Sequence, residues 1–257
     1  MFLSWRCWVA IELTKKHRVF LGIQQCIAFI FFPLLYCLLV FWMRVVQGYK
    51  IKQLASIRRQ FKQVKKSIDG PLLICPNHLT FIDSLILAWA FSNPWNYFCH
   101  FKSFAWNLPK RAHVAESKLY QVICYVGKCL LIASENDEAK LSMQKSQYLL
   151  EHGHYIMVFP EGTRSKTGRI NTETFVYGVG GMVAHAANLP VLMVYLRGDK
   201  QQAKSKMPAK GDSFSITMEL TYPTTDKKGL RANRDLSQQL IQSLCGMETS
   251  YFASNDR

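Results

Sequence analysis

The fold that this sequence predicts is an α/β layered domain with a mainly parallel sheet, preceded by an N-terminal membrane helix or helix pair. Three observations point there. From residue 70 onward, short apolar runs alternate with helix-period segments, the pattern of a sheet built from strand-helix units. From Val19 to Met43 the chain reads VFLGIQQCIAFIFFPLLYCLLVFWM, 25 residues without a charge, where about 20 are enough to span a bilayer core. The length of 257 residues suits one good-sized domain plus an appendage.

The apolar run is long and lacks a following small-residue cleavage pattern, which argues against a cleaved signal peptide. Gln24 and Gln25 lie in its first third and Pro33 near its middle, where a proline kinks a helix. Ahead of it stand Trp5 and Trp8, residues that favour a membrane–water interface. One spanning helix, a re-entrant or interfacial helix pair, and a buried soluble helix all fit. Residues 1–46 are thus expected to form the anchoring segment and 47–69 a basic linker helix.

Residues 44 to 66 hold eight cations and no acid, within a chain of 32 Lys and Arg against 17 Asp and Glu and a net charge of +15. Such a surplus implies a polyanionic partner. The basic stretches lack interleaved aromatic platforms and carry no nucleic-acid-binding signature, which makes nucleic acid the weaker reading and favours an anionic membrane surface, with no nucleic acid expected as partner. A basic run just past an apolar segment places the domain on the cytoplasmic face of the inner (cell) membrane. The eight cysteines form no CxxC and no zinc-type spacing, so free thiols in a reducing compartment are expected.

Through the body, assigned to 70–245, PLLIC (71–75) reads as a strand and 80 to 92 as a helix. KLYQVICYVG is read as a helix ending at Gly127, followed by a strand KCLLIA. The stretch from Ser134 to Gly153 is a helix with Ser134 as cap and acids in its first turn. HYIMVF is a strand, 173 to 187 a helix, LPVLMVYL a strand, SFSITMELTYP a half-exposed strand, and 235 to 245 a last helix. The tail 246–257 has little to pack and is expected to be loose.

Two stretches carry chemistry. PNHLTFIDS (76–84) puts His78 at a strand-to-helix turn and Asp83 about one turn into the helix. An imidazole there can take a proton from an attacking hydroxyl while the carboxylate fixes its tautomer. Alternatively Asn77 or Thr80 caps the helix and Asp83 merely suits its dipole. VFPEGTRSKTGR (158–169) follows a strand and is polar, cationic and glycine-containing, suited to an anionic head group or a developing oxyanion. A plain strand-ending loop is the other option.

Together they resemble the glycerolipid acyltransferase family. Asn77, His78 and Asp83 match its Asn-His, four residues, Asp motif. Phe159 to Ser165 match Phe-Pro-Glu-Gly-Thr-Arg-Ser at every position, and the strand from Leu189 matches a proline-led apolar motif. The resemblance covers roughly residues 70 to 200. It implies a membrane-associated O-acyltransferase of the 1-acylglycerol-3-phosphate type, with His78 as general base and Asp83 as its orienting partner. Glu161, Gly162, Thr163 and Arg164 would hold the acceptor's head group, Arg164 on its phosphate. The donor would be an acyl-CoA or acyl carrier protein thioester and the acceptor a lysolipid, with no metal and no bound cofactor. Acylation of a less charged lipid, hydroxyl or amine, or non-catalytic lipid binding, are the alternatives.

Two positions depart from that family. Ala133 or Ser134 stands where a second motif has arginine, and Val176 where Phe-Lys-x-Gly has lysine. Either Lys128, Lys166 or Arg169 substitutes for the lost cations, or the acceptor is less charged than lysophosphatidate. His152 and His154 around Gly153 are expected at a helix end, His185 is expected packed or half exposed, and Gly178, Gly180 and Gly181 imply close approach to the sheet or to an acyl chain.

Overall fold

A computed structural model describes residues 13–133, 136–173, 175–186, 188–201, 203 and 205–255. Trp5, Trp8 and the capping role expected of Ser134 lie outside the described residues. The chain begins with helix α1 (Lys15–Phe41), prolonged through Val46 by a π-helical turn. There follow β1 (Lys50–Ile51), α2 (Leu54–Ser67), β2 (Leu72–Pro76), α3 (Asp83–Phe91), α4 (Pro94–Cys99), β3 (Trp106–Asn107), α5 (Arg111–Val114) and α6 (Lys118–Val126). Next come α7 (Asn136–Glu151), β4 (Tyr155–Met157), α8 (Tyr177–His185), β5 (Val191–Gly198), β6 (Ser213–Thr221) and α9 (Leu230–Asn255).

The strands form one sheet in the order β1-β6-β5-β2-β4-β3, parallel throughout except between β5 and β6. β2 shows why its sequence is a continuous apolar run rather than an alternating one. Leu72 and Ile74 face a core shared with α2 and α3, where Ile57, Phe61, Ile86 and Leu87 are buried. Leu73 and Cys75 face a second core with Leu149 of α7, Met182 of α8 and Leu240 of α9. A parallel strand buried on both faces has no polar side to show.

Helix α1 packs one stripe, Leu21, Gln24, Ala28, Phe32 and Tyr36, against the domain. Phe32 and Tyr36 join Tyr97 and Phe101 in an aromatic cluster. Gln24 Nε2 donates to the carbonyls of Tyr125 (3.1 Å) and Cys129 (2.9 Å). The opposite face, including Phe20, Ile30, Leu34 and Phe41, is exposed. By length and composition the helix could cross a membrane, and its assignment runs unbroken through Pro33.

Several expectations change. KCLLIA is not a ladder strand; it meets β3 and the segment after it only at the bridges Asn107↔Cys129 and Lys110↔Ile132. Pro109, between those bridges, accepts from Ile132 N–H at 2.9 Å but has no N–H to return, so the ladder stops. Strands β1 and β3, two residues each, were not legible as strands. The last helix is much longer than 235–245: α9 starts at Leu230 and continues to Asn255. The tail expected to be loose is helical that far because it has partners, with Glu248 buried and Tyr251 packed on Tyr195 at 5.6 Å between ring centroids. Of the glycines of α8, Gly180 and Gly181 approach α9 rather than the sheet, and Gly178 faces Met143 of α7. A methyl group built on Gly180 would lie 1.9 Å from the Asn233 carbonyl oxygen.

Candidate active site

β2 and β4 are hydrogen-bonded parallel neighbours, so the segments leaving their C-terminal ends emerge side by side, where α/β sheets place their sites. The first carries His78 and Asp83, the second Glu161 to Arg164.

Asp83 is the first residue of α3 rather than a turn inside it. Its carboxylate folds back over the turn. Oδ2 accepts the N–H groups of Leu79 (2.7 Å) and Thr80 (2.8 Å), and Oδ1 accepts the Thr80 hydroxyl. Thr80 therefore serves the aspartate and does not cap the helix. Oδ2 also faces His78 Nδ1 at 3.0 Å. A buried carboxylate offers only lone pairs, so Nδ1 carries the proton and Nε2 keeps a lone pair. The His78 ring stacks on Phe159, centroids 4.0 Å apart, and its side chain remains 20% exposed. Asn77 is a clamp between strands: Leu196 N–H donates to its Oδ1 (2.7 Å) and its Nδ2 donates to the Leu196 carbonyl (3.0 Å).

The second segment turns at Gly162, whose φ of +66° and N–H bond to the Phe159 carbonyl close the loop. A methyl group at Gly162 would stand 2.0 Å from Val176 Cγ2, so glycine is required there on two counts. Glu161 points inward, and its Oε1 accepts His78 N–H at 2.7 Å. Burial, opposed by the backbone N–H groups of His78 and Asn171, pushes its carboxyl up to about 7. Ser165 N–H donates to the His78 carbonyl at 2.8 Å. The second loop thus holds both backbone polar groups of His78, a role for Ser165 that sequence reasoning missed although the residue lies within the matched motif.

Thr163 is exposed. Arg164 is half-buried beside Phe81, 5.9 Å from the ring centroid, and its Nη1 is buried without a partner among the described residues. Phe81 in turn rests on Tyr120 of α6 at 5.3 Å. An unpartnered guanidinium nitrogen at a cleft next to an imidazole suits an anionic ligand.

Of the cations that could replace the lost ones, Lys128 is ruled out. With a φ of +54° it is fully buried, and its ammonium donates to the carbonyls of Phe101 (3.1 Å) and Phe104 (2.5 Å) over the rings of Phe101 and Trp106. Burial holds it well below the usual lysine range. Arg169 is engaged by Glu248 at 3.3 Å and by the Phe252 ring at 3.9 Å. Lys166 is exposed and has no ion pair among the described residues. Ala133 is buried. Elsewhere, Gly153 ends α7 at a φ of +76°, with the His152 ring 2.7 Å from the Tyr148 carbonyl. His154 is buried against Trp106, and burial drives its imidazole down to about 3. The seven described cysteines are all free.

Among curated proteins none matches the chain. A family model described as Acyltransferase matches residues 48–225, more than half of the chain, and that range takes in every strand of the sheet and both segments of the site. The chain therefore belongs to the glycerolipid acyltransferase family, which includes lysophospholipid acyltransferases.

Proposed function

We propose that this acyltransferase moves a fatty acyl group from a thioester, acyl-CoA or acyl carrier protein, to the hydroxyl of a lysophospholipid at an anionic membrane surface. The observation that carries the reading is the His78–Asp83 pair, 3.0 Å apart, with the ring still partly exposed beside the unpartnered Arg164 guanidinium. His78 Nε2 takes the acceptor's hydroxyl proton as the oxygen attacks the thioester carbonyl. The tetrahedral species then collapses, the C–S bond breaks, and the same proton passes to the leaving thiolate. Asp83 holds the imidazolium formed between these steps. No acyl-enzyme is needed because the acceptor brings its own nucleophile. Arg164 holds the acceptor's anionic group.

The acceptor proposed is less charged than lysophosphatidate. Val176 sits against Gly162 and Ala133 is buried, so apolar contacts occupy the positions where relatives carry cations. A dianionic phosphate would meet Arg164 without that support.

Membrane attachment is assigned to the outer face of α1 together with exposed Leu119, Val122 and Ile123 of α6, with the cations of α2 on the anionic lipid of the cytoplasmic leaflet. The buried stripe of α1 runs from Leu21 to Tyr36, about 22 Å of helix at 1.5 Å per residue. Because that length is seated on the domain, α1 lies in the interface rather than crossing alone. Leu34→Ser with Leu38→Ser should weaken vesicle binding.

The deciding assay follows thiol release by the purified full chain from acyl-CoA and from acyl carrier protein against a panel of lysolipids. Release that depends on a lysolipid and vanishes in His78→Ala is expected. No release with any pairing, or release indifferent to acceptor, would overturn the reading. Strong preference for lysophosphatidate over lysolipids with uncharged head groups would overturn the acceptor assignment alone.

A further inference from the structure

We propose that the C-terminal half of α9 is a strut for the acceptor loop, with Glu248 as a positioning residue. Glu248 is buried on α9, where helix packing alone would use an apolar side chain, since an unmatched buried carboxylate is costly. Among the described residues, its polar partners come from the loop after β4 and from β5. Ile170 N–H donates to Oε1 at 3.3 Å, Arg169 Nε lies 3.3 Å from Oε2, and the Tyr195 hydroxyl donates to Oε1 at 3.4 Å. One turn on, Phe252 packs under two guanidinium groups, Arg169 at 3.9 Å and Arg197 at 4.8 Å from its centroid. Arg197, buried on β5, donates through Nη1 to the Gly168 carbonyl and through Nη2 to Gln201 at 2.7 Å.

These contacts converge on 168–170, the return limb of the loop that carries Arg164. From there a path leads inward: Ser165 Oγ donates to the Arg169 carbonyl, and Ser165 N–H to the His78 carbonyl. Glu248 therefore fixes where Arg164 and His78 stand relative to each other without touching substrate. Glu248 and Phe252 lie beyond the residues matched by the family model, which end at 225.

The inference rests on the proposed function only in taking this loop to bind the acceptor, and its test has a readout that needs no substrate. In the full chain, Glu248→Ala, Glu248→Gln and Arg169→Ala are compared with Leu244→Ala, a buried packing position on the same helix. Amide exchange of 162–170 should quicken about tenfold in Glu248→Ala. The acceptor KM should rise about tenfold with the donor KM within about twofold. Glu248→Gln keeps an acceptor for Ile170 but loses the ion pair, and should fall between. Arg169→Ala should match Glu248→Gln, and the double variant should be no worse than either. Leu244→Ala should lower Tm without separating the two KM values. Unchanged exchange in Glu248→Ala, or a loss that moves Tm and both KM values together as Leu244→Ala does, would overturn the strut. An Arg169→Ala effect well beyond that of Glu248→Gln would also overturn it, by making Arg169 an acceptor ligand. If the wild type accepts no lysolipid, the functional reading fails while the exchange result still decides the strut.

Discussion

The two segments that build the site are held in opposite ways. The Asp83 carboxylate closes on its own turn: among the described residues, its polar partners lie between His78 and Thr80. The loop after β4 closes on residues far along the chain, with Val176 against its glycine, Arg197 on Gly168 and Glu248 on Ile170. Within the first, the carboxylate that orients the imidazole is held from inside the turn, while the His78 backbone leans on Glu161 and Ser165. The second can be weakened from positions dozens of residues away, and the proposed roles divide along the same line, proton transfer going to the turn and acceptor placement to the supported loop.

Breaking the first turn should give the largest effects. His78→Ala removes a partly exposed ring and should cost about 10³- to 10⁴-fold in turnover with Tm nearly unchanged. Asp83→Asn should lose activity on a similar scale, and also stability of about 1–3 kcal/mol, because the amide cannot accept all the bonds that the carboxylate does. A His78→Ala variant retaining more than about a tenth of wild-type turnover would remove the base assignment.

Breaking the second loop at its tightest point comes next. Gly162→Ala places a methyl group 2.0 Å from Val176 Cγ2 at a φ of +66°, and should raise the acceptor KM by about 10- to 100-fold and cost about 1–3 kcal/mol of stability. Pairing it with Val176→Ala should restore the part due to collision but not the part due to backbone strain. Steady-state kinetics and thermal melts of the single and double variants measure the split. If the double variant is no better than Gly162→Ala, the collision with Val176 is not what matters.

The same division explains what the sequence made legible. His78, Asp83, Glu161 and Arg164 lie in short local patterns, and β2, β4 and β5 are continuous apolar runs, so both could be found without the fold. What escaped depends on contacts distant in sequence. METSYFASNDR has too little apolar periodicity to announce a helix, and its partners Arg169, Tyr195 and Arg197 come from elsewhere in the chain. KCLLIA was over-read because the proline that ends its pairing lies in the partner segment. Lys128 is a candidate for the acceptor pocket by sequence, and nothing near it in sequence reveals that a φ of +54° turns it among three rings.

Arg164→Lys sharpens the comparison at smaller scale. The ammonium keeps the charge but loses the planar fork, so the acceptor KM should rise about tenfold while the donor KM and the Tm stay put. Initial rates at varied acceptor and donor concentrations check this, and equal rises in both KM values would take Arg164 out of the acceptor site.

The smallest effect on turnover is expected at Glu161, which belongs to the second loop by sequence but serves the first turn by contact. Glutamine keeps an oxygen for His78 N–H, so in Glu161→Gln the acceptor KM should stay within about threefold of wild type. A rise as large as that of Arg164→Lys would mean that Glu161 grips the acceptor directly. Its signature should appear in stability instead. The folded carboxyl titrates at about 7, against 4.5 for an ordinary glutamate, because burial disfavours its charge. Between those values the folded chain holds a proton that the unfolded chain has released. The stability linked to Glu161 is therefore fully present below pH 4.5 and lost as pH rises through 7, by up to about 3 kcal/mol. His154, driven down to about 3, works in the opposite sense, but wild type and variant share it and it cancels in their difference. The Tm of Glu161→Gln minus that of wild type should thus be near zero at pH 4.5 and positive by several degrees at pH 8. A difference that stays flat across that range would show that Glu161 pays no burial penalty for its charge.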